Sequence, residues 1–384
     1  MNLKRTVAVA QKEWREIVRD RLFFALAFVV PVILMLMFGF GLSLDVENIP
    51  FAIVDRDGSS LSRDYAHKFI DSRYFKFLGY SFNERELEPL LIDNKIRAAI
   101  LIPEYFERDL LAGRPAQVQT LIDGTFPFRA QTVKGYVIAI NSAISSSLLA
   151  EYLTRLRGIP QAQALQTVQP VRLEVRYLYN QSVKSIWSLA PKLIMVILMI
   201  SPPFLTALGV VREKESGSIY NIYSSTLSRG EFLLGKLTPY VGISMLNALL
   251  LWVLAAWLYG APFKGDPLFF FLATTLYVVC TTGIGLVVSV LVRTQVAAMI
   301  GTAIFTIVPA VLYSGVLVPI SSLTKSAQVV AHLLPAMYYT DIVLGCFLKG
   351  VGLRALWPDV LILALYAAIL FTAGYCMFHK RPKV

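Results

Sequence analysis

Cysteine and histidine are scarce in this sequence of 384 residues, which contains three of each. Cys280 and Cys376 lie inside long apolar runs and Cys346 lies apart from both, so the disulfide framework of a small secreted domain is not visible. The histidines are far apart in sequence, and no Cys/His cluster has the spacing of metal ligands. Charged residues are also few, at 16% against 56% hydrophobic residues, which excludes an ordinary soluble protein.

Six runs without charge are long enough to cross a bilayer, whose apolar core requires about 20 helical residues. The first run lies within residues 22–44 and exceeds the apolar part of a cleavable signal peptide, so we expect it to remain as an anchor. The other five runs are Leu193–Val211, Leu237–Phe263, Pro267–Val292, Thr294–Thr324 and Val360–Phe378. The sequence therefore predicts an α-helical polytopic membrane protein with six transmembrane helices.

Residues 45–185 separate the first two spans and have the composition of a soluble domain. Short apolar runs such as Phe51–Val54 and Ala98–Ile102 are typical of buried strands, and helical segments alternate with them. Residues 127–157 are predicted to form one long helix. We therefore expect an inserted α/β domain, in which no nucleophile–base pair or pair of metal-binding carboxylates has the spacing for catalysis.

Lysine and arginine concentrate on alternate connections between the runs, which the positive-inside rule assigns to the cytoplasm. These basic segments are Lys4–Arg21, Arg212–Lys236, Arg293 and Lys380–Lys383. Both termini, including the tail 379–384, are therefore expected in the cytoplasm, and the inserted domain is expected outside. The net charge of +11 then reflects topology rather than binding to nucleic acid.

Residues 186–378 hold the five later spans, and one outer segment there departs from a simple crossing. Thr294–Thr324 is too long for a single span, and residues about 314–340 contain Pro319 and Pro335. Because proline interrupts helical hydrogen bonding, we expect a broken or re-entrant segment at this position.

Residues 1–21 are predicted to form an amphipathic helix before the first span. Apolar side chains recur at three- and four-residue steps, at Leu3, Val7, Ala10, Trp14 and Ile17. Such a helix can lie in the headgroup plane with a tryptophan as anchor, or it can dock a cytoplasmic partner. The residues assigned to this interface helix are Lys12, Glu13, Trp14, Arg15 and Arg19.

Gly230–Lys236 matches the glycine-to-lysine part of a phosphate-binding loop but lacks its context. That loop needs Ser or Thr after the lysine and follows a buried strand, whereas Leu237 stands there and a span follows. The sequence thus predicts no ATP site on this chain. Acidic residues that could relay protons within the spans are also lacking, which favours an energy source outside the chain.

The connection 212–236 combines charged, glycine and aromatic residues. Glu213 and Glu215 lie among basic residues on the same side of the membrane, so they need partners in water or in another protein. A segment of this kind suits docking onto a soluble subunit. The residues assigned to this coupling segment are Arg212, Glu213, Glu215, Gly217, Ser218, Tyr220, Tyr223, Gly235 and Lys236.

This connection resembles the segment between the second and third spans of type-2 ABC exporter permeases. The likeness lies in its start, Arg212-Glu-Lys-Glu-Ser-Gly-Ser218, and in its end, Gly235-Lys-Leu-Thr-Pro-Tyr240. Lys12–Asp20 is similar to the helix before the first span in the bacterial drug-export branch, which has a large external domain. Ala52–Asp55 and Ile100–Pro103 are similar to parts of that domain. The resemblance covers essentially the whole chain.

The resemblance implies the permease subunit of an ATP-driven exporter in the bacterial inner (plasma) membrane. It implies no cofactor on this chain, because a separate cytoplasmic ABC ATPase subunit would bind ATP and Mg²⁺. Other implied partners are a second permease copy or paralogue, giving a dimer, membrane lipids, a periplasmic adaptor and an outer-membrane channel. The uncharged pathway favours amphipathic small molecules such as drugs as cargo, and a lipid or polymer precursor fits equally well.

Two other classes of protein share this outline. A receptor-like or scaffold protein would bind a ligand through the external domain, but no cytoplasmic segment is long enough to be an output domain, so it would signal through a partner. A membrane-embedded enzyme would need polar catalytic groups converging in the bilayer, where the spans offer mainly Ser, Thr and Asn247.

Overall fold

The computed structural model describes residues 3–42, 45–169, 175–218 and 227–377. The chain forms two compact units. We call Met1–Leu44 together with Tyr177–Val384 the helical unit, and Asp45–Arg176 the sheet unit. The sheet unit falls within the predicted insert 45–185, and the last residues of that insert group with the helical unit instead.

The described elements follow one another in a simple order. The helical unit begins with α1 (Leu3–Arg19) and α2 (Arg21–Gly41). The sheet unit comprises β1 (Ile49–Asp55), α3 (Ser60–Ile70), β2 (Phe75–Tyr80), α4 (Glu84–Ile92), β3 (Ala98–Ile102), α5 (Phe106–Leu111), β4 (Gln119–Ile122), α6 (Pro127–Arg157) and α7 (Gln161–Val168). The helical unit continues with α8 (Ser185–Glu215), α9 (Arg229–Leu258), α10 (Pro267–Leu291), α11 (Gln295–Leu312), α12 (Lys325–His332), α13 (Pro335–Lys349) and α14 (Leu353–Met377).

The sheet unit is built on a four-stranded mixed sheet in the order β2-β1-β3-β4. Strand β1 pairs in parallel with β2 and β3, and β4 runs antiparallel to β3. Strands β1 and β3 are almost continuous apolar runs because both faces of the sheet are covered. Phe51 and Ile53 pack in one core with side chains of α3 and α6, whereas Ala52 and Val54 pack in a second core with Leu87 of α4.

Helix α6 is long and apolar enough to cross a membrane, yet its side chains belong to the core of the sheet unit. Val133, Val137 and Ile144 join the cluster that contains the β1 and β3 side chains. The Tyr65 hydroxyl of α3 donates a hydrogen bond to Asn141 Oδ1 of α6 at 2.7 Å. The long helix predicted from the sequence is therefore present, and it completes one face of a small α/β core.

Seven helices in the described ranges are long and apolar enough to span a membrane, namely α2, α6, α8, α9, α10, α11 and α14. All except α6 overlap the charge-free runs of the sequence. Helices α12 and α13 form a bent pair with an angle of 84° between them, which overlaps the predicted re-entrant segment 314–340. The helical unit thus has the composition of a multi-pass membrane protein.

Helix α8 is the most enclosed of these candidate spans. Within the protein 89% of its apolar stretch is buried, against 17% for α14, and it contacts α2, α9, α10, α11 and α13. Helix α10 approaches it so closely that a Cβ atom on Gly285 would lie 2.3 Å from the Pro203 carbonyl oxygen. Only glycine fits at such a crossing, so the position of α10 against α8 depends on this residue.

A π-helical turn at Ala25–Val29 fixes α2 against its neighbours. Such turns interrupt the regular hydrogen bonding of an α-helix, so that carbonyl groups near them can accept hydrogen bonds from other donors. Here the Leu26 carbonyl oxygen accepts from Ser201 Oγ of α8 at 3.0 Å, and the Ala27 carbonyl oxygen accepts from Asn247 Nδ2 of α9 at 2.6 Å. The buried polar side chains of α8 and α9 therefore hold α2 in place.

Candidate functional site

The last turn of α8 carries four consecutive charged residues that contact different parts of the helical unit. Arg212 bonds to Asp20, the residue that caps α2, and Glu213 bonds to α1 and pairs with α9. Lys214 bonds to the end of α10, and Glu215 bonds to the start of α11. We call these four residues the α8 charged turn. It connects α1, α2, α9, α10 and α11 to the central helix of the bundle.

Glu213 belongs to a buried series of charges shared by α1, α8 and α9. Lys236 Nζ lies 2.7 Å from Glu13 Oε1 and 3.0 Å from Glu213 Oε2. Lys12 Nζ donates to Glu213 Oε1 at 2.8 Å, and the Tyr240 hydroxyl donates to Glu13 Oε2 at 2.9 Å. The side chains of Lys236 and Glu13 are only 1% and 2% exposed. We call these five residues the buried charge cluster; Lys12 lies at its edge, where its side chain is 48% exposed.

Burying charged groups costs hydration energy, which ion pairing and hydrogen bonding offset only when every partner is present. Burial raises the pKa of the Glu13 carboxyl; Lys236 opposes this rise, and the nearby Glu213 carboxylate adds to it. Removing one member of a buried ion pair costs about 3–5 kcal/mol, because the other charge stays buried without a partner. The cluster therefore holds α1 in one position against α8 and α9.

Three carboxylates in this region are close enough to one another to bind a metal ion. Glu13, Glu16 and Glu213 place oxygen atoms within 4.8 Å of one another. However, Lys12 lies 3.5 Å from Glu16 and 2.8 Å from Glu213, and Lys236 pairs with Glu13. These ammonium groups already supply the positive charge that a cation would bring, so the arrangement fits ion pairing within the protein.

Asp20 joins α1 to α2 and receives Arg212 from α8. Its Oδ1 accepts from the backbone N–H groups of Leu22 at 2.9 Å and Phe23 at 3.3 Å, which caps α2. Arg212 Nη1 donates to Oδ2 at 2.6 Å. Burial opposes ionisation of Asp20, but the bonds from Phe23, Arg212 and Leu22 outweigh it and lower the pKa of the Asp20 carboxyl. The junction of α1 and α2 is thereby tied to the end of α8.

Lys214 and Glu215 contact the ends of two other helices. Each carries the charge that is favourable at the helix end it contacts. Lys214 Nζ donates to the Ser289 carbonyl oxygen at 2.5 Å and lies 3.4 Å from that of Val290, at the carboxyl end of α10. Glu215 Oε2 accepts from the backbone N–H of Gln295 at 3.1 Å and from its Nε2 at 2.9 Å, at the amino end of α11. A cation at a helix carboxyl end and an anion at an amino end both interact favourably with the helix dipole.

Two glycines permit the close packing of this region. A Cβ atom on Gly235 of α9 would lie 2.7 Å from the Thr6 carbonyl oxygen of α1, so the two helices approach closely there. A Cβ atom on Gly209 of α8 would lie 1.8 Å from the Tyr240 hydroxyl oxygen. Gly235 was assigned from the sequence, and its role is to let α1 reach the buried charge cluster.

The structure brings together many of the residues predicted for coupling, although not as one exposed surface. Glu213 and Lys236 are buried and paired within the chain, whereas Glu215 is exposed. Gly217 has φ of +74° just after α8, a conformation that suits glycine at a helix end. Ser218 Oγ lies 3.0 Å from Ser216 Oγ. Tyr220 and Tyr223 lie outside the described residues.

The residues assigned to the interface helix divide between its faces. Glu13 is buried in the charge cluster and Lys12 joins the cluster from an exposed face, whereas Trp14, Arg15 and Arg19 lie on exposed faces of α1 outside the cluster. Asp20, Lys214 and Tyr240 also belong to the site, and the sequence patterns had not identified them as members. Tyr240 follows Lys236 by one helical turn, and Asp20 stands at a helix start, so spacing and capping signals were present for both.

Comparison with known proteins places these features in a family. A model of the family described as "ABC-2 family transporter protein" matches residues 21–376. The "Probable multidrug ABC transporter permease YbhS" of Escherichia coli (strain K12) is 29% identical, with 99% of this chain and 98% of that protein covered. The "Probable multidrug ABC transporter permease YbhR" of the same strain is 27% identical over 97% of each chain.

A more distant relative is the "Linearmycin resistance permease protein LnrN" of Bacillus subtilis (strain 168), which is 22% identical over 97% of this chain and 98% of its own length. The similarity thus extends through the sheet unit and the helical unit alike. These relatives are transport permeases rather than enzymes, and the apolar helices agree with a multi-pass membrane protein. The chain belongs to the ABC-2 transporter family and is one of its membrane-spanning permeases.

Proposed function

We propose that this chain is the membrane subunit of an exporter driven by a separate cytoplasmic ABC ATPase. The α8 charged turn is the observation that carries this proposal. The connection 216–228 between α8 and α9 directly follows it. A soluble subunit that moves this connection acts on α1, α2, α9, α10 and α11 together, because the turn contacts four of these helices directly and α2 through its capping residue Asp20. Such a shared contact suits a rigid-body change driven by nucleotide binding elsewhere.

The names of the relatives support a cargo class. Two carry "probable multidrug" in their names and a third is called a linearmycin resistance permease. We infer that this chain moves amphipathic small molecules, drugs among them, out of the cytoplasm or the inner leaflet. ATP and Mg²⁺ act on the partner ATPase in this scheme.

The proposed topology has six spans, formed by α2, α8, α9, α10, α11 and α14. Helix α6 is excluded because Val133, Val137 and Ile144 pack in the core of the sheet unit. The concentration of Lys and Arg near α1, the α8 charged turn and the tail supports a cytoplasmic location for both termini in the bacterial inner membrane. The sheet unit then lies on the external side.

Further partners complete the proposal. Exporters of this design pair two permease subunits, so we infer a dimer with a second copy or a paralogue. The sheet unit on the external side is the part available to a periplasmic adaptor and, through it, to an outer-membrane channel.

Affinity purification of the full chain from its native membranes in mild detergent tests the proposal. We expect recovery of a stoichiometric ATPase subunit, and we expect ATP hydrolysis by this complex to respond to amphipathic drugs. A clean oligomer without an ATPase would contradict the proposal. Recovery of signalling proteins instead would favour the receptor or scaffold interpretation.

A further inference from the structure

Helix α1 has three distinct faces, and the buried charge cluster accounts for only one of them. The packed face carries Thr6, Val9, Glu13 and Ile17 toward α9 and its neighbours. A second face carries four exposed apolar side chains, which are Leu3, Val7, Trp14 and Val18. A third face is basic and borders a surface groove.

The exposed apolar face of α1 indicates contact with the membrane. Leu3 is 72% exposed and Trp14 is 42% exposed, which is unfavourable in water for a row of large apolar groups. The row continues into α2, where Leu22 is 53% exposed at the start of the first span. A helix with this pattern lies in the boundary between headgroups and acyl chains.

The basic face of α1 lines an open groove of about 530 Å³ together with Arg212 of α8. The groove contains four cationic side chains, Lys12, Arg15, Arg19 and Arg212, and two acidic ones, Glu16 and Asp20. Asp20 is paired with Arg212, and Glu16 lies 3.5 Å from Lys12. Within the described part of the chain, Arg15 and Arg19 make no ion pair, so the groove has an excess of positive charge.

We propose that this groove binds the phosphate group of an anionic phospholipid. The guanidinium groups of Arg15 and Arg19 match phosphate in geometry as well as in charge. Arg15 follows Trp14 and Arg19 follows Val18, so each arginine lies about 100° around the helix from a membrane-facing side chain. This places both guanidinium groups beside the headgroups, and a lipid therefore fits the groove better than a soluble partner does. The site requires only the membrane and is independent of the ATPase.

The test uses the full chain, purified in a neutral detergent with its associated subunits and stripped of lipid. Its unfolding temperature is followed while short-chain phosphatidylglycerol, short-chain phosphatidylcholine or inorganic phosphate is added. We expect phosphatidylglycerol to stabilise the protein at lower concentration than phosphatidylcholine, and inorganic phosphate to have no effect. In the variant Arg15→Gln/Arg19→Gln, apparent affinity for phosphatidylglycerol should fall about 30-fold, since each basic side chain near a membrane surface contributes to binding.

The matched control is Arg114→Gln/Arg129→Gln, which removes the same charge from exposed positions of the sheet unit and should retain the preference for phosphatidylglycerol. An unchanged preference in Arg15→Gln/Arg19→Gln would overturn the proposal. An equal response to inorganic phosphate would show an anion site without lipid selectivity and would also overturn it. The proposal would also be overturned if the wild-type protein showed no preference for phosphatidylglycerol while Arg15→Gln/Arg19→Gln lost the ATPase subunit, because the groove would then be a protein docking surface.

Discussion

Lys236 of α9 and Glu13 of α1 form a buried ion pair with 2.7 Å between Nζ and Oε1, although 223 positions separate them in the sequence. Glu213 and Tyr240 complete the surroundings of the pair. The face of α1 that carries Glu13 is therefore packed firmly against the rest of the helical unit. This packed face is joined to the two helices that flank the connection 216–228, so we expect motion of that connection to be transmitted to α1.

Loss of the Lys236 charge should strongly destabilise the protein. Lys236→Met keeps most of the side-chain stem but leaves Glu13 and Glu213 buried beside each other, at a cost of about 3–5 kcal/mol. We expect a clearly lower unfolding temperature for the purified protein in detergent. Lys134→Met is the control, because Lys134 is an exposed lysine of the sheet unit. Equal unfolding temperatures for the two variants would contradict a structural role for the cluster.

Gly285→Ala should separate α10 from α8. The new methyl group would lie 2.3 Å from the Pro203 carbonyl oxygen, and backbone atoms cannot move aside as a flexible side chain can. Overpacking of this kind typically costs about 1–3 kcal/mol. Gly242→Ala on α9 is the matched control, since a Cβ atom there has open space around it. Thermal unfolding of both variants checks the prediction, and a Gly285→Ala protein as stable as the control would refute it.

The contacts of Lys214 with α10 and of Glu215 with α11 should matter for coupling ATP hydrolysis to cargo. They should matter less for assembly with the ATPase subunit. Lys214→Gln/Glu215→Gln weakens the contacts with α10 and α11 but leaves the buried charge cluster intact. We expect the ATPase subunit to co-purify in full amount while cargo-stimulated ATP hydrolysis falls about tenfold, within the usual range of coupling energies.

The control for this double variant is Glu151→Gln/Arg155→Gln, which removes an exposed ion pair of 2.6 Å from α6. Both variants neutralise one acidic and one basic residue, so the net charge is the same. Normal stimulation in the α8 variant, or a similar loss in both, would argue against transmission through the charged turn.

The sheet unit should lose a stabilising contribution in acid. Hydrogen bonds from Thr125, together with Arg97, lower the pKa of the Asp123 carboxyl to about 2. A carboxyl with a lowered pKa in the folded state contributes fully above its ordinary pKa of about 4, and the contribution is lost as the pH falls toward 2. Asp123→Asn should therefore show a shallower fall in unfolding temperature between about pH 4 and pH 2 than the wild type.

Asp64→Asn serves as the control for the acid experiment, because it removes an exposed carboxyl of the same unit. It should retain the steep fall of the wild type. Identical profiles for Asp123→Asn and the wild type would show that the contact with Arg97 and Thr125 does not contribute.

Local patterns were sufficient to predict much of the fold. The strands at Ile49–Asp55 and Ala98–Ile102 lie where the sequence has apolar runs, because a strand that is covered on both faces needs no polar alternation. Helix α6 was predicted from its long pattern, and its location in the sheet core distinguishes it from the spans. Its apolar composition alone does not make this distinction, since it satisfies the same length and hydropathy requirements.

The burial of Glu213 is the main feature that local patterns could not give. In the sequence it lies between Arg212 and Lys214, as a residue of a solvated helix end would. Its partner Lys12 is 201 positions away, and Lys236 lies beyond the next connection. Whether an acidic residue binds a partner protein or its own chain depends on such distant contacts, which local sequence patterns do not encode.

Helix α8 is enclosed by helices that are made both before and after it, and this affects how the protein is assembled during synthesis. Helices α1 and α2 are made before α8, but α9, α10 and α11 emerge after it. Asp20, the partner of Arg212, is already present when α8 is made, whereas the native partners of Lys214 and Glu215 are absent until residues 289–295 have been made. The contacts of the α8 charged turn are therefore complete only after α11 has begun to be made. A nascent chain that ended after α9 would lack the partners of Lys214 and Glu215, and this absence would distinguish an incomplete permease from a finished one.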